Sequence, residues 1–290
     1  MNTCRMTVVA AMTAGLVCAA QASEFRIVGA RALSMGGAAV ACPAPEYAAY
    51  YNPAALGLKD SRGALGLAAS MGVRDTGIAG HLDTLMGLDW EAATDNPEGP
   101  EAEAVLAELD KIRPTDSIMV MPSGAAGIKL GRVGGGIYPS AQVVVYAHLD
   151  TEHVNQTSPL DDPDSFAFNT SRLYAQGLGL VEVPLAYGHS FRVGNGTLCV
   201  GGAVKFIEAV TFDVRQGILV TSDTDQIQDR LENADKLSSG FGIDAGALYR
   251  SASGRLSLGL LARNINSPAF KTVIGAEFTE DIQVLAGAAY

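Results

Sequence analysis

Charged side chains sit at fixed intervals inside stretches that are otherwise apolar. Lys205 shares a face with Thr197, Cys199 and Ala203, while Leu198, Val200, Val204 and Phe206 take the other. Asp244 and Arg250 lie with Gly242 and Gly246, opposite Phe241, Ile243, Ala245, Ala247 and Tyr249. Arg255 and Arg263 lie with Ser257 and Gly259, opposite Leu256, Leu258 and Leu260. A period of two is the period of a β-strand, whose side chains alternate between two faces. Charges gathered on one face can bind an anionic headgroup in a polar interior whose apolar patches hold a tail. They can equally pair with one another as a structural network, and the residues leave both readings open. Lys205, Asp244, Arg250 and Arg263 are the candidate ligand-binding set.

Other chemistry is thin. His148, Asp150 and His153 could share a metal ion, but a catalytic metal site takes three ordered ligands with a supporting second shell. A solvated loop accounts for them as well, and no metal is assigned. The run Asp161-Asp162-Pro163-Asp164 could attract Ca²⁺ or Mg²⁺, or be simply solvated. Gly131-Arg132-Val133-Gly134-Gly135-Gly136 is not a dinucleotide fingerprint, because no helix follows it. G-x-S-x-G, Walker, H-E-x-x-H and EF-hand patterns are absent. The expectation is a protein that is not an enzyme and has no cofactor.

The chain has 290 residues, 48% of them hydrophobic, with a formal net charge of −11. That apolar fraction excludes disorder and supplies a large core or a lipid-facing band. The acidic balance, without Lys/Arg clusters, argues against nucleic acid as a partner. Residues 1–22 have the form of an export signal: Arg5, an uncharged apolar run, then Ala20-Gln21-Ala22, with cleavage expected after Ala22. A lipoprotein reading at Cys18 fits less well, since Leu16-Val17 precedes it where small residues are wanted. Cys42 and Cys199 remain in the mature chain and could form a disulfide in an oxidising compartment or stay as buried thiols. No later stretch has the length of a transmembrane helix.

The elements that must position the charges follow from this. Residues 29–58 are rich in small side chains. Met35-Gly36-Gly37-Ala38 suits a tight, irregular path, and Asn52-Pro53 reads as a capped helix start. Strand patterns begin at 64–73 and recur from Ile118, at 126–130, 136–149, 173–180, 183–193, 197–210, 241–250, 255–263, 271–278 and 282–290. Insertions interrupt near 79–117, where 102–112 has helical spacing, near 150–170 and near 222–240. Gly194-Asn195-Gly196 and Ser251–Gly254 mark hairpins, the first with Asn-Gly supplying positive backbone angles.

Two sets of residues carry a family resemblance. The order Ala30-Arg31-Ala32, Met35-Gly36-Gly37-Ala38, then Ala49-Tyr50-Tyr51-Asn52-Pro53-Ala54 resembles the N-terminus of the outer-membrane transport superfamily, which holds the FadL-type fatty-acid channels and the TraF-type conjugal transfer barrels. Gly242–Arg250, followed by Leu258–Pro268, is similar to the mid-barrel of TraF-type and FadL-like proteins, as are 177–188 and 198–206, and the TraF-type branch is the suspected one. The resemblance implies a transmembrane antiparallel β-barrel of roughly 10–14 strands with an N-terminal plug at 23–58, the barrel at 59–290, and Arg31, Gly36, Gly37, Asn52 and Pro53 as plug or gating residues.

The implied function is an outer-membrane barrel that binds or passes small hydrophobic molecules. Its alternative is a structural barrel serving a secretion or transfer apparatus. A soluble periplasmic β-protein is the third reading. Outer-membrane lipid, a hydrophobic small molecule and apparatus proteins are the expected partners.

Overall fold

The computed structural model describes residues 27–59, 62–89, 92–93, 96, 99–113, 115–148, 150, 171–217, 238–271 and 277–290. The leader, His153 and the acidic run at 161–164 lie outside them, as do most of the insertions near 150–170 and 222–240.

Among the described residues ten strands follow one another: β1 (Gly63–Asp75), β2 (Ser117–Leu130), β3 (Val133–His148), β4 (Arg172–Val193), β5 (Gly196–Gly217), β6 (Ser238–Arg250), β7 (Ser257–Arg263), β8 (Ala269–Lys271), β9 (Glu277–Thr279) and β10 (Gln283–Ala289). Eight of them form one antiparallel sheet in the order β1-β2-β3-β4-β5-β6-β7-β10, and β8 and β9 make a separate small hairpin. The sheet is a plain meander, each strand beside its predecessor, and it curls around residues 27–58.

Strand count and closure differ from expectation. The main sheet has eight strands rather than 10–14, and among the described residues β1 and β10 do not pair. Among the described residues the wall is therefore a curled trough, a half-barrel. Part of the reason is length. β4 and β5 run 22 residues each, so two strands use the chain allotted to three. The expected break at Val181-Glu182 does not occur, because Glu182 faces into the trough and the ladder runs through it. The pattern at 271–278 divides between β8 and β9.

The two ends of the sheet are unlike. At one end the links are short: Gly131-Arg132, Gly194-Asn195 and 251–256. At the other lie the long links 76–116, 149–171, 218–237 and 264–282. In the β4–β5 turn the positive φ falls on Gly194 (56°), not on the expected Asn195-Gly196 pair. Glycine at the first central position is what a II′ hairpin prefers.

The convex face is apolar. Along one cross-sheet row, Val183 neighbours Phe206, which neighbours Phe241; along the next, Leu185, Val204 and Ile243 do the same. All six are exposed, with Leu185 68% accessible and Phe241 62%. Leu65, Leu67, Val284, Leu258 and Leu260 extend this surface to both edges. The concave face instead buries Lys129, Glu182, Lys205, Asp244 and Arg263. A water-facing sheet has the opposite polarity.

Two helices, α3 (Ile78–Met86) and α4 (Pro100–Leu109), fill the link from β1 to β2. They follow α1 (Ala30–Ser34) and α2 (Ala48–Tyr51) of the N-terminal segment. α4 begins at a proline with Glu101 and Glu103 in its first turn, as its dipole favours. Ile78, Leu85, Val105, Leu109 and Ile112 pack together against Ala147, with Ile118 and Leu173 beside them. No helix among the described residues is long and apolar enough to cross a membrane.

Candidate functional site

Residues 27–58 fill the trough, and the sheet is built to receive them. At Gly66 and Gly127 the wall touches Glu46 and Tyr47; at Gly246 it touches Asn52; at Gly259 it touches Val40. Several of these glycines are register neighbours: Gly66 with Gly127, Gly188 with Gly201, Gly201 with Gly246. A Cβ on Gly188 would lie 2.6 Å from both the Pro53 carbonyl oxygen and the Gly57 nitrogen. Only a bare Cα admits backbone that close. The glycines thus form a track across the wall, and the segment's backbone lies in it.

Asn52 locks the segment. Its Oδ1 accepts from the Ala54 N–H (3.1 Å), capping the 3₁₀ turn Pro53–Gly57. Its Nδ2 donates to the Val40 carbonyl at 2.9 Å and to the Ala247 carbonyl of β6 at 3.2 Å. One fully buried side chain therefore joins two parts of the segment to the wall. The predicted helix start is correct in place, but the turn is 3₁₀. Tyr51 closes the other end of the segment: its hydroxyl donates to the Val28 carbonyl (2.8 Å) and accepts from the Val28 N–H (2.6 Å). Lys129 of β2 donates to the Leu58 carbonyl at 3.0 Å.

Beside this lock lies a buried charge network. Lys205 Nζ stands 3.3 Å from Glu182 Oε1 and 3.2 Å from Asp244 Oδ2. The second oxygen of Glu182 is held by Arg263. Gly242, the register partner of Lys205, makes the room: a Cβ there would lie 2.5 Å from Lys205 Cε. Asp244 also accepts from the Asn264 N–H at 2.8 Å. The Arg263 guanidinium lies 4.5 Å from the centre of the Tyr50 ring, and Tyr50 stacks on Tyr138 of β3 at 4.7 Å. Two carboxylates face two cations, and an aromatic of the N-terminal segment caps them. The set contains no nucleophile beside a base. Its chemistry is charge pairing, which joins β4 to β7 and seats Tyr50.

Three of the four predicted charges thus meet in one cluster. Arg250 does not: it lies six residues along β6 from Asp244, at the short-turn end, paired in register with Thr197. Glu182 was missed, although a lone acid at inward parity between Leu180 and Leu185 marked it. Tyr50 lies in the N-terminal motif but was not read as a partner of the charges, and Tyr138 carried no distinguishing sequence signal.

Arg31 and the glycine pair sit elsewhere. Arg31 is exposed on α1 and lines a cavity of about 500 Å³ between residues 28–47 and β1, with Leu33, Tyr47, Ala68 and Ser70 among its neighbours. Gly36 (φ 62°) and Gly37 (φ 86°) serve a turn: nothing lies within 4 Å of a Cβ on Gly36, and one on Gly37 would meet only the Ile27 side chain, at 3.2 Å. The close approaches belong to the wall's glycines instead. Cys42 and Cys199 are free thiols. Cys199 is fully buried under Ala54, Ala55 and Leu56, whereas Cys42 borders the cavity, so the two are not bridged. His148 ends β3 opposite Arg172, and among the described residues there is no metal-binding group of three or more ligands.

The family model for the F plasmid transfer operon TraF protein matches residues 49–290. The chain belongs to this TraF family. The match covers every strand and begins inside the motif Ala49–Pro53 that sits in the glycine track. No curated protein and no solved structure matches the chain significantly. Membership ties the chain to conjugal transfer proteins.

Proposed function

We propose that this TraF-family chain is exported and spans the outer membrane as a β-structure, with residues 27–58 as its hatch, and that it binds or passes small hydrophobic molecules without catalysing a reaction. The observation that carries this is the inverted polarity of the sheet. Outward apolar side chains on β4 run from Val183 to Val193. Ten residue steps at ~3.4 Å make about 34 Å, which at a tilt of ~45° rises about 24 Å, close to the ~25 Å apolar band of outer-membrane barrels. Aromatics mark both margins: Phe206 and Phe241 above, Phe191 below. Two residues beyond Phe206, Glu208 takes the same face, where the band would end. The cavity beside β1 is within the usual range for small ligands, about 300–1,000 Å³, and Arg31 would meet an anionic head. The FadL-type likeness of the N-terminal motif belongs to this reading.

A second reading is a structural barrel of a transfer apparatus with no transport of its own. Family membership supports it, as does the hatch locked over a neutral charge network. The deciding experiment has two stages. The protein is first sought in the outer-membrane fraction, with gel mobility that shifts on boiling. Binding of a fluorescent long-chain carboxylate is then compared between wild type and Arg31→Gln. Binding weakened by the substitution supports the first reading. A shifting protein that binds nothing supports the second. Recovery in the soluble fraction without a shift removes both.

A further inference from the structure

The charge of this acidic chain is unevenly placed. Among the described residues, the short turns and the strand positions next to them carry Lys59, Arg62, Arg132, Arg192, Arg250 and Arg255, and no Asp or Glu. The opposite end mixes both signs: Arg74, Lys111, Arg113, Arg172 and Lys271 stand among a larger number of acids, with Asp75, Asp116, Glu280 and Asp281 near the strand ends and six more on and just after α3 and α4. A protein with a net charge of −11 therefore wears a cationic collar at one rim. The collar lies at the lower margin of the apolar band. There, one arginine is built into an aromatic cluster. Arg132, in the β2–β3 turn, donates from Nη1 to His189 Nδ1 at 2.9 Å. The Tyr187 hydroxyl lies 3.3 Å from the same nitrogen, and the Phe191 ring is 4.8 Å from the imidazole. Tyr187, His189 and Phe191 alternate along the outward face of β4, so Arg132 is drawn over the face that carries the apolar band.

We propose that this rim binds the phosphodiester headgroups of anionic phospholipids, with Arg132 as the principal ligand and Arg62 in support. The guanidinium fork suits phosphate oxygens. Tyr187 and Phe191 place acyl chains against the wall just above it, as interfacial aromatics do. Each basic side chain near an anionic membrane surface strengthens binding about five-fold, the factor given by ~1 kcal/mol. A protein or nucleic-acid partner for the collar would leave the adjoining apolar face uncovered, whereas a lipid meets both.

The inference rests on the membrane-spanning reading, and the test separates the two. The full chain is reconstituted in phosphatidylcholine vesicles carrying a trace of spin-labelled phosphatidylglycerol or of spin-labelled phosphatidylcholine. Electron paramagnetic resonance then measures the motionally restricted share of each probe. Wild type should restrict phosphatidylglycerol several-fold more strongly. Arg132→Gln with Arg62→Gln should remove most of that preference, while Asp281→Asn, at the other end, should keep it. Raising the salt on wild type alone to ~1 M, where the Debye length falls to about 3 Å, should also reduce it, with no dependence on a variant's folding. Vesicle-bound protein that restricts both probes equally overturns the lipid site and leaves the spanning reading standing. Protein that does not float with the vesicles, and restricts neither probe, overturns both.

Discussion

Two adjacent glycines of β5 should respond oppositely to the same methyl group. Gly201 faces into the trough, where a Cβ would press on the Pro53 carbonyl and the Ala54 nitrogen. Both are backbone, so no side chain can swing aside. Gly202 faces out, and its Cβ would meet only the Asp244 carbonyl oxygen, at 3.6 Å, an ordinary contact. Overpacking a tight site costs about 1–3 kcal/mol, and here that cost weighs on the seating of residues 52–57 while the ladder stays intact. Cys199 reports the seating directly, because its thiol is fully buried beneath Ala54, Ala55 and Leu56. In a Cys42→Ser background, maleimide can reach Cys199 only when the hatch lifts. When opening and closing are fast, labelling tracks the open population. Gly201→Ala should therefore label about 5- to 150-fold faster than the parent, as that range of cost implies. Gly202→Ala should label at the parental rate. Equal rates for Gly201→Ala and the parent would refute the glycine-track reasoning, as would equal acceleration by both variants.

Four further outcomes follow from the same geometry. Asn52→Ala removes the cap and the bonds to Val40 and Ala247, and should lower stability by about 1–3 kcal/mol, read as an earlier thermal loss of heat-modifiable mobility. Glu182→Gln leaves Lys205 and Arg263 short of their shared carboxylate and should cost about 3–5 kcal/mol; a variant as stable as wild type would contradict the pairing. Tyr50→Leu should cost about 1–3 kcal/mol through the lost Arg263 and Tyr138 ring contacts, and should raise Cys199 labelling as well. Glu108 joins the helix pair through His81 Nδ1 (2.8 Å) and also bonds Lys111 Nζ (2.8 Å) in its own turn, and Lys111 first, then His81, hold its carboxyl below the ordinary value. A depressed carboxylate stabilises the fold above its unfolded pKa and loses that effect as pH falls through the folded one. Hydrogen-exchange protection of 78–112 should thus hold at neutral pH and decline only below the usual carboxylate range; constant protection through that range would speak against the link.

The wall was legible because a strand exposes its faces in strict alternation. The parity of Phe241, Ile243 and Ala245 against Gly242, Asp244 and Gly246 already separates outside from inside. Asn52-Pro53 was legible as a cap for a similarly local reason. The strand count was not, because where a ladder ends depends on partners: Glu182 looked like a break until Lys205 and Arg263 supplied its counter-charges. The glycine track escaped for a related cause. Each of its glycines reads as a weak strand position in isolation, and only register brings Gly188, Gly201 and Gly246 into one line under Pro53. The fourth predicted charge, Arg250, shows the limit of parity, which gives the face of a residue but not its height along the strand.

The central claim is that the convex face meets lipid. Single spin labels at Val204, which faces out, and at Ala203, its inward neighbour, test it most directly in the reconstituted protein. The account predicts that the label at 204 relaxes strongly with oxygen and weakly with a water-soluble nickel chelate, as a lipid-exposed site does, while the label at 203 is shielded from both. A label at 204 that relaxes mainly with the nickel chelate would mean that this apolar face stands in water, and would contradict the account.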